Sequence, residues 1–144
     1  MTDSFHVRVF GLPVAQGRPR AFKLPTGQVR VYDPEPSRDW KRTVLAQILP
    51  AKPEIPLAGP LRLSLDFILP RPKTLPKKIL AHTRRPDLDN LVKAVKDALR
   101  AVVYHDDAQV TELHASKRYG AAPGVEIWLS PDGGPPPLPA GATG

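Results

Sequence analysis

Carboxylates in a cationic setting are the residues with the most chemistry to offer. The run Arg84-Arg85-Pro86-Asp87-Leu88-Asp89-Asn90-Leu91-Val92-Lys93 places two aspartates one residue apart, behind two arginines and a proline. In a helix, side chains two positions apart diverge by about 200°. In extended backbone they point to the same side. Pro86 fixes its own φ and biases Arg85 towards extended backbone, while the chain from Leu88 onward is strongly helical. Asp87 thus falls where extended chain gives way to helix, and Asp87 and Asp89 can converge on one point. A second acidic pair, Asp106-Asp107, follows that helix and precedes a strand, so a hairpin-like return can bring one of its members back to the first pair. Three carboxylates around one cavity suit a hard divalent cation, Mg2+ or Mn2+. The competing reading is local, since aspartate before a helix is a common N-cap and acids in a first turn complement the helix dipole. Lys93 lies one turn from Asp89. It makes either a surface ion pair of small energetic worth or a cation placed to meet a phosphate oxygen.

The surroundings favour an anionic partner. Net charge is +7 over 144 residues, with a sequence pI of about 10.0, a balance that points first to nucleic acid and second to an anionic membrane. There are no cysteines, which excludes a disulfide framework and a thiolate metal site. No run approaches the length of a membrane span, and the start of the chain lacks the apolar core of a signal peptide. A cytoplasmic protein is expected. No Gly-rich phosphate loop occurs. His6, His82, His105 and His114 lack metal-ligand spacing, and no serine sits in a nucleophile elbow. What remains is acids that hold a cation and bases that bind phosphate.

The elements that must position these groups are short, as 19 prolines require. Phe5 to Phe10 alternates as a strand, and Ala21–Lys23 with Gln28–Tyr32 reads as a hairpin around Gly27. Ser37 is the expected N-cap of a helix carrying Trp40, Val44, Leu45, Ile48 and Leu49 at helical spacing. Leu61 to Leu69 is the clearest strand, with five apolar residues on one face. The central helix is expected over Leu88–Val103, with an apolar stripe of Leu88, Leu91, Val92, Val95, Leu99 and Val102. A strand over Ala108–Lys117 slips its alternation between Val110 and Leu113, which predicts a bulge or an edge position. Val125 to Leu129 is the last strand, with Trp128 outward. The order β-β-β-α-β-α-β-β predicts an α/β (α+β) fold in one domain, a mixed sheet with two main helices. The body is expected over residues 1–130 and a disordered Pro/Gly-rich tail over 131–144.

The loop from Pro70 to Pro86 carries Arg71, Lys73, Lys77, Lys78, Arg84 and Arg85 and expects a short helical turn between Lys77 and His82; its length and charge suit a functional surface. The loop Gly11–Pro19, with Arg20 just beyond it, adds Arg18 and Arg20. Arg18, Arg20, Lys77, Lys78, Arg84 and Arg85 are the expected nucleic-acid contacts.

The run Arg85-Pro86-Asp87-Leu88-Asp89-Asn90-Leu91-Val92-Lys93, with Asp97-Ala98-Leu99 and Asp106-Asp107-Ala108-Gln109-Val110, resembles the RusA family of Holliday-junction resolvases. Gly17-Arg18-Pro19-Arg20 and the strand from Leu61 to Leu69 resemble it more loosely. The resemblance implies a RusA-like fold and a homodimeric, Mg2+-dependent endodeoxyribonuclease that resolves four-way DNA junctions by paired nicks in recombination and repair. It places the catalytic and metal-holding aspartates at Asp87, Asp89 and Asp107, with Lys93 as the catalytic-site lysine. It leaves Asp106 as the alternative to Asp107. Two other readings stand beside it: a nuclease acting on other branched or flap DNA, and a non-catalytic basic DNA-binding protein whose acids cap the helix.

Overall fold

The strand Leu61–Pro70 (β4) is the axis of the molecule, as its alternation predicts. Leu61, Leu63, Leu65, Phe67 and Leu69 are all buried and face the helices. In the computed structural model, which describes residues 4–132 apart from 19 and 101, β4 lies between two partners. Gly124–Pro131 (β6) pairs with it antiparallel, and Val110–Gly120 (β5) pairs with it parallel. Phe5–Phe10 (β1) closes the other side, giving the order β1-β6-β4-β5. Gly124 is needed where β1 meets β6, because a Cβ there would stand 2.1 Å from the Val9 carbonyl oxygen. Arg20–Lys23 (β2) and Val29–Tyr32 (β3) form a separate two-stranded sheet, turned at Gly27 with φ of 90°.

A parallel pair needs a crossover, and here the crossover carries the helix Leu88–Leu99 (α2). Leu91, Val92, Val95 and Leu99 bury its apolar stripe against the sheet. The helix Glu35–Ile48 (α1) contributes Trp40, Val44 and Ile48 to the same core. The architecture is the expected single-domain α+β arrangement, a mixed sheet with two helices.

Several boundaries differ from the sequence expectation. Ser37 is not the N-cap of α1. Pro34 holds that position, because Pro36 falls where the first turn leaves an amide without an acceptor. Ser37 instead sits buried inside the helix and staples the preceding loop: its hydroxyl accepts from the Gly17 amide at 2.9 Å and donates to the Ala15 carbonyl at 3.3 Å. The central helix ends at Leu99 and does not run to Val103. Arg100 turns extended, and the chain beyond it is captured by Leu57, whose amide donates to the Val103 carbonyl at 2.7 Å. Residues 107–109 form a turn of 3-10 helix, so β5 starts at Val110. The slipped alternation reflects both expected causes, since β5 is an edge strand and its register with β4 shifts between Leu61 and Arg62.

In the proline-rich loop, Lys77 and Lys78 lie in a turn and no helix forms. β6 continues through Pro131, and Asp132 is fastened by its amide to the Pro60 carbonyl at 2.9 Å and by its carboxylate to Thr111 and Arg62. The last strand and its anchor thus run two residues past the expected boundary at 130, and the rest of the expected tail lies outside the described residues.

Candidate active site

The start of α2 and the turn after it build one cleft. Asp89, Lys93, Lys96 and Asp97 come from one face of α2, and Asp107 comes from the 3-10 turn that leads into β5. With Leu88, Val92, Leu113 and Ala115 they line an open cleft of about 620 Å³. The turn after α2 places Asp107 on the lining of the cleft that Asp89 also lines. Asp106 does not take part. Its carboxylate accepts from the Ala108 amide at 3.0 Å, and the Gln109 side chain accepts from the Asp106 amide at 2.9 Å, closing a capping box.

Asp87 stands at the N-cap of α2 in extended backbone, φ −72° and ψ 142°. Its side chain makes no capping hydrogen bond, so the local reading of this aspartate as a cap is not realised. It is exposed beside the cleft and does not line it. Among the described residues no three carboxylate or histidine side chains stand close enough together to hold one metal ion. The expected three-aspartate cluster is therefore not assembled here, because Asp89 has already turned with the helix while Asp87 is still on extended chain. The donor chemistry still fits Mg2+, which keeps several waters and takes one or two carboxylates, with substrate phosphate completing its shell.

Charge around the cleft is organised by groups that sequence reasoning passed over. Lys93 pairs with Asp97 at 4.0 Å, one turn onward, and not with Asp89. Asp97 also receives Lys41 of α1 at 3.2 Å, and the same ammonium donates to Asp33 at 2.8 Å. That hydrogen bond holds the Asp33 carboxyl below the usual carboxylate range. The Tyr104 hydroxyl, inside a fully buried residue, donates to Asp107 Oδ1 at 2.8 Å. Burial, then the hydrogen bond to Asp107 and its negative charge, push the phenol pKa up. Arg100 stands 3.8 Å from Asp107 Oδ2. Tyr104 lay in the sequence three residues before Asp107, a spacing that could have marked it.

The approach to Asp87 is fixed from β5. Lys117 Nζ donates to the Arg84 carbonyl at 2.7 Å and the Pro86 carbonyl at 2.8 Å. The Arg85–Pro86 peptide is cis. Arg71 is turned to structure as well, donating to the Pro76 and Ile79 carbonyls and lying over the Tyr119 ring. His82 packs on Tyr119, and burial followed by the Lys117 charge lowers its pKa. Arg18, Arg20, Lys77, Lys78, Arg84 and Arg85 are all exposed, and the cleft holds none of them. His105 is exposed, with its amide bonded to Gln109.

A larger concavity, about 820 Å³, lies on the uncovered face of the sheet. Among the described residues a single acid lines it, Asp66, which is paired with Arg118 at 2.7 Å. The cleft at α2, with three aspartates and two lysines on its lining against one aspartate here, is the better candidate for chemistry on an anionic substrate.

A mixed sheet backed by two helices, with an aspartate-lined cleft in a strongly basic chain, fits a protein that processes DNA. Residues 11–130 match the profile of Endodeoxyribonuclease RusA, and the chain belongs to the RusA family of endodeoxyribonucleases. It is also 37% identical over 137 residues to the uncharacterised protein YqaN of Bacillus subtilis (strain 168), an alignment covering 88% of this chain and 96% of that one. No helix among the described residues is long and apolar enough to cross a membrane.

Proposed function

We propose that this protein is a divalent-metal-dependent endonuclease that resolves four-way DNA junctions by paired symmetric nicks, in recombination and repair. The observation that carries this reading is the meeting of Asp89 and Asp107 in one cleft from two separate elements, with Lys93 at its rim. A non-catalytic binding protein has no use for that arrangement, since carboxylates facing a phosphate repel it unless a cation intervenes. Asp89 and Asp107 would hold Mg2+ or Mn2+, with Asp87 joining from the N-cap. The ion, when bound, supplies an activated water and offsets charge on the scissile phosphate. Tyr104 holds Asp107 in one rotamer, and Lys93 offers its ammonium to a phosphate oxygen. Arg18, Arg20, Lys77, Lys78, Arg84 and Arg85 contribute affinity through counterion release. The location that fits this substrate is the cytoplasm.

The active unit is proposed to be a two-fold dimer. A four-way junction has approximate two-fold symmetry, and resolving it takes two nicks in opposed strands. A closed dimer presents two sites related by the same operation. The uncovered sheet face supports it, since Trp128 lies there half-exposed and stacked on His6, ring centroids 5.0 Å apart.

The test is cleavage of a synthetic four-way junction and a matched linear duplex, with and without Mg2+. Metal-dependent nicking confined to the junction is expected, lost in Asp89→Asn with junction binding retained. Wild-type cleavage by Asp89→Asn, or equal cutting of both substrates, would refute the reading.

A further inference from the structure

The hairpin of β2 and β3 is set apart from the strands of the main sheet, each of which buries at least one residue. Every residue of both strands is exposed, including Phe22 at 47% and Tyr32 at 41%. A two-stranded ribbon with neither face covered is marginal in water, and exposed apolar surface of this kind marks an interaction site. The register sorts its side chains. Arg20 opposes Tyr32 and Phe22 opposes Arg30, so the alternation of a strand sets two arginines and two aromatics on one face. Phe22 and Tyr32 meet edge to face, centroids 5.7 Å apart. Residues 4–32 contain four arginines and a lysine and no acid.

This arm is rooted at the cleft. Its neck is pinched where Gln16, before β2, donates to Asp33, after β3, at 3.1 Å. One side of the neck is bonded to α2, through the Gln16 amide and the Asn90 carbonyl at 2.9 Å, next to Asp89. The other side reaches the cleft through Asp33, Lys41 and Asp97. The base of the arm is thus tied to the helix that carries Asp89 and Asp97.

We propose that the Arg20-Phe22-Arg30-Tyr32 face of the hairpin stacks on unpaired bases where a DNA duplex branches, and that this contact sets the preference for branched over linear DNA. Aromatic rings interleaved with arginine are the chemistry that single-stranded nucleic acid takes, the rings stacking on bases and the guanidiniums meeting phosphates. Base pairs at a branch point are the ones most readily opened, and an aromatic wedge exploits that. A fully paired duplex offers its phosphates to the arginines but no base face to the rings. The proposal rests on the endonuclease reading for its substrate, but not on cleavage.

The experiment measures binding of the full chain, without divalent metal, to a four-way junction and to a duplex of equal length. It compares the wild type with Phe22→Ala/Tyr32→Ala and with Arg20→Gln/Arg30→Gln, and it includes sedimentation of each. The aromatic double variant is expected to lose junction affinity by about tenfold or more, from the worth of one stacked base. Its duplex affinity should stay within about twofold. The arginine double variant should weaken both substrates alike and lower the salt slope. Phe22→Trp should retain the junction preference. An unchanged ratio of junction to duplex affinity in the aromatic variant overturns the proposal. A shift of that variant to a smaller assembly also overturns it, showing the arm to be a subunit contact. A wild type that prefers junctions in this binding assay but cuts neither DNA once Mg2+ is added defeats the endonuclease reading and leaves this one standing.

Discussion

Replacing Tyr104 with phenylalanine isolates what one hydroxyl does for Asp107. The ring is fully buried in the core, and phenylalanine keeps its volume, so the packing survives. Lost is the O–H donating to Asp107 Oδ1 at 2.8 Å. Hydrogen bonds to charged groups contribute about 1.5–3 kcal/mol. The Asp107 side chain is 32% exposed, so water replaces part of the lost interaction and the lower end applies. About 1.5 kcal/mol of orientation, if it all falls on the transition state, is about a tenfold loss of rate. Global stability should fall by a similar amount, about 1.5 kcal/mol, or several degrees in Tm. Single-turnover cleavage of a junction at saturating protein reads the first effect, and the Kd for the same junction should not move. Raising Mg2+ should recover part of the rate, because the loss is in placing a ligand and not in removing it. A variant that cuts at the wild-type rate while melting lower would show Tyr104 to be a core residue and nothing more. A variant whose loss lies entirely in junction affinity would be equally damaging to the argument.

Three further outcomes follow from the geometry. Asp107→Asn should abolish cleavage and retain junction binding, whereas Asp106→Ala should lose about 1 kcal/mol of stability with its cap and still cut; the opposite order in a cleavage assay would move the site to Asp106. Lys117→Met removes both bonds that hold residues 84–86, so amide exchange should quicken from Arg84 to Asp87, cleavage should fall, and the His82 pKa should rise towards 6.5 by NMR titration as one of the two main causes lowering it is removed; unchanged exchange there would refute the positioning role. Truncation after Asp132 should leave Tm and cleavage unchanged, while truncation after Ser130 should cost about 1–3 kcal/mol, because the Arg62 side chain, 10% exposed, loses Asp132 as a charge partner; equal melting of the two products would show the Asp132 anchor to be idle.

Local pattern alone determined much of this molecule. The strict alternation of Leu61 to Leu69 can bury one face only as a strand, and the stripe Leu91, Val92, Val95, Leu99 can do so only as a helix; both hold in the structure. The order of elements was legible for the same reason, and the prolines marked most of the breaks. Of the candidate site, Asp89, Lys93 and a return through Asp106-Asp107 could be read, because they depend on residues close in the chain, whereas the expected convergence of Asp87 on them is not seen among the described residues. Tertiary structure decided the rest. That Asp107 and not its neighbour lines the cleft rests on the capping box that occupies Asp106 and on a buried Tyr104, and neither can be weighed until the turn has its place. The helix stops at Leu99 because Leu57, far away in sequence, takes the backbone of Val103. Lys93 pairs with Asp97 and not Asp89, since only the packed helix sets which rotamer is open. Arg71 and Lys117 look like surface charge in the sequence, yet the strand edge they lie along turns them to holding backbone. Long-range partners of this kind have no periodicity to betray them, and they fix where every side chain of the cleft points.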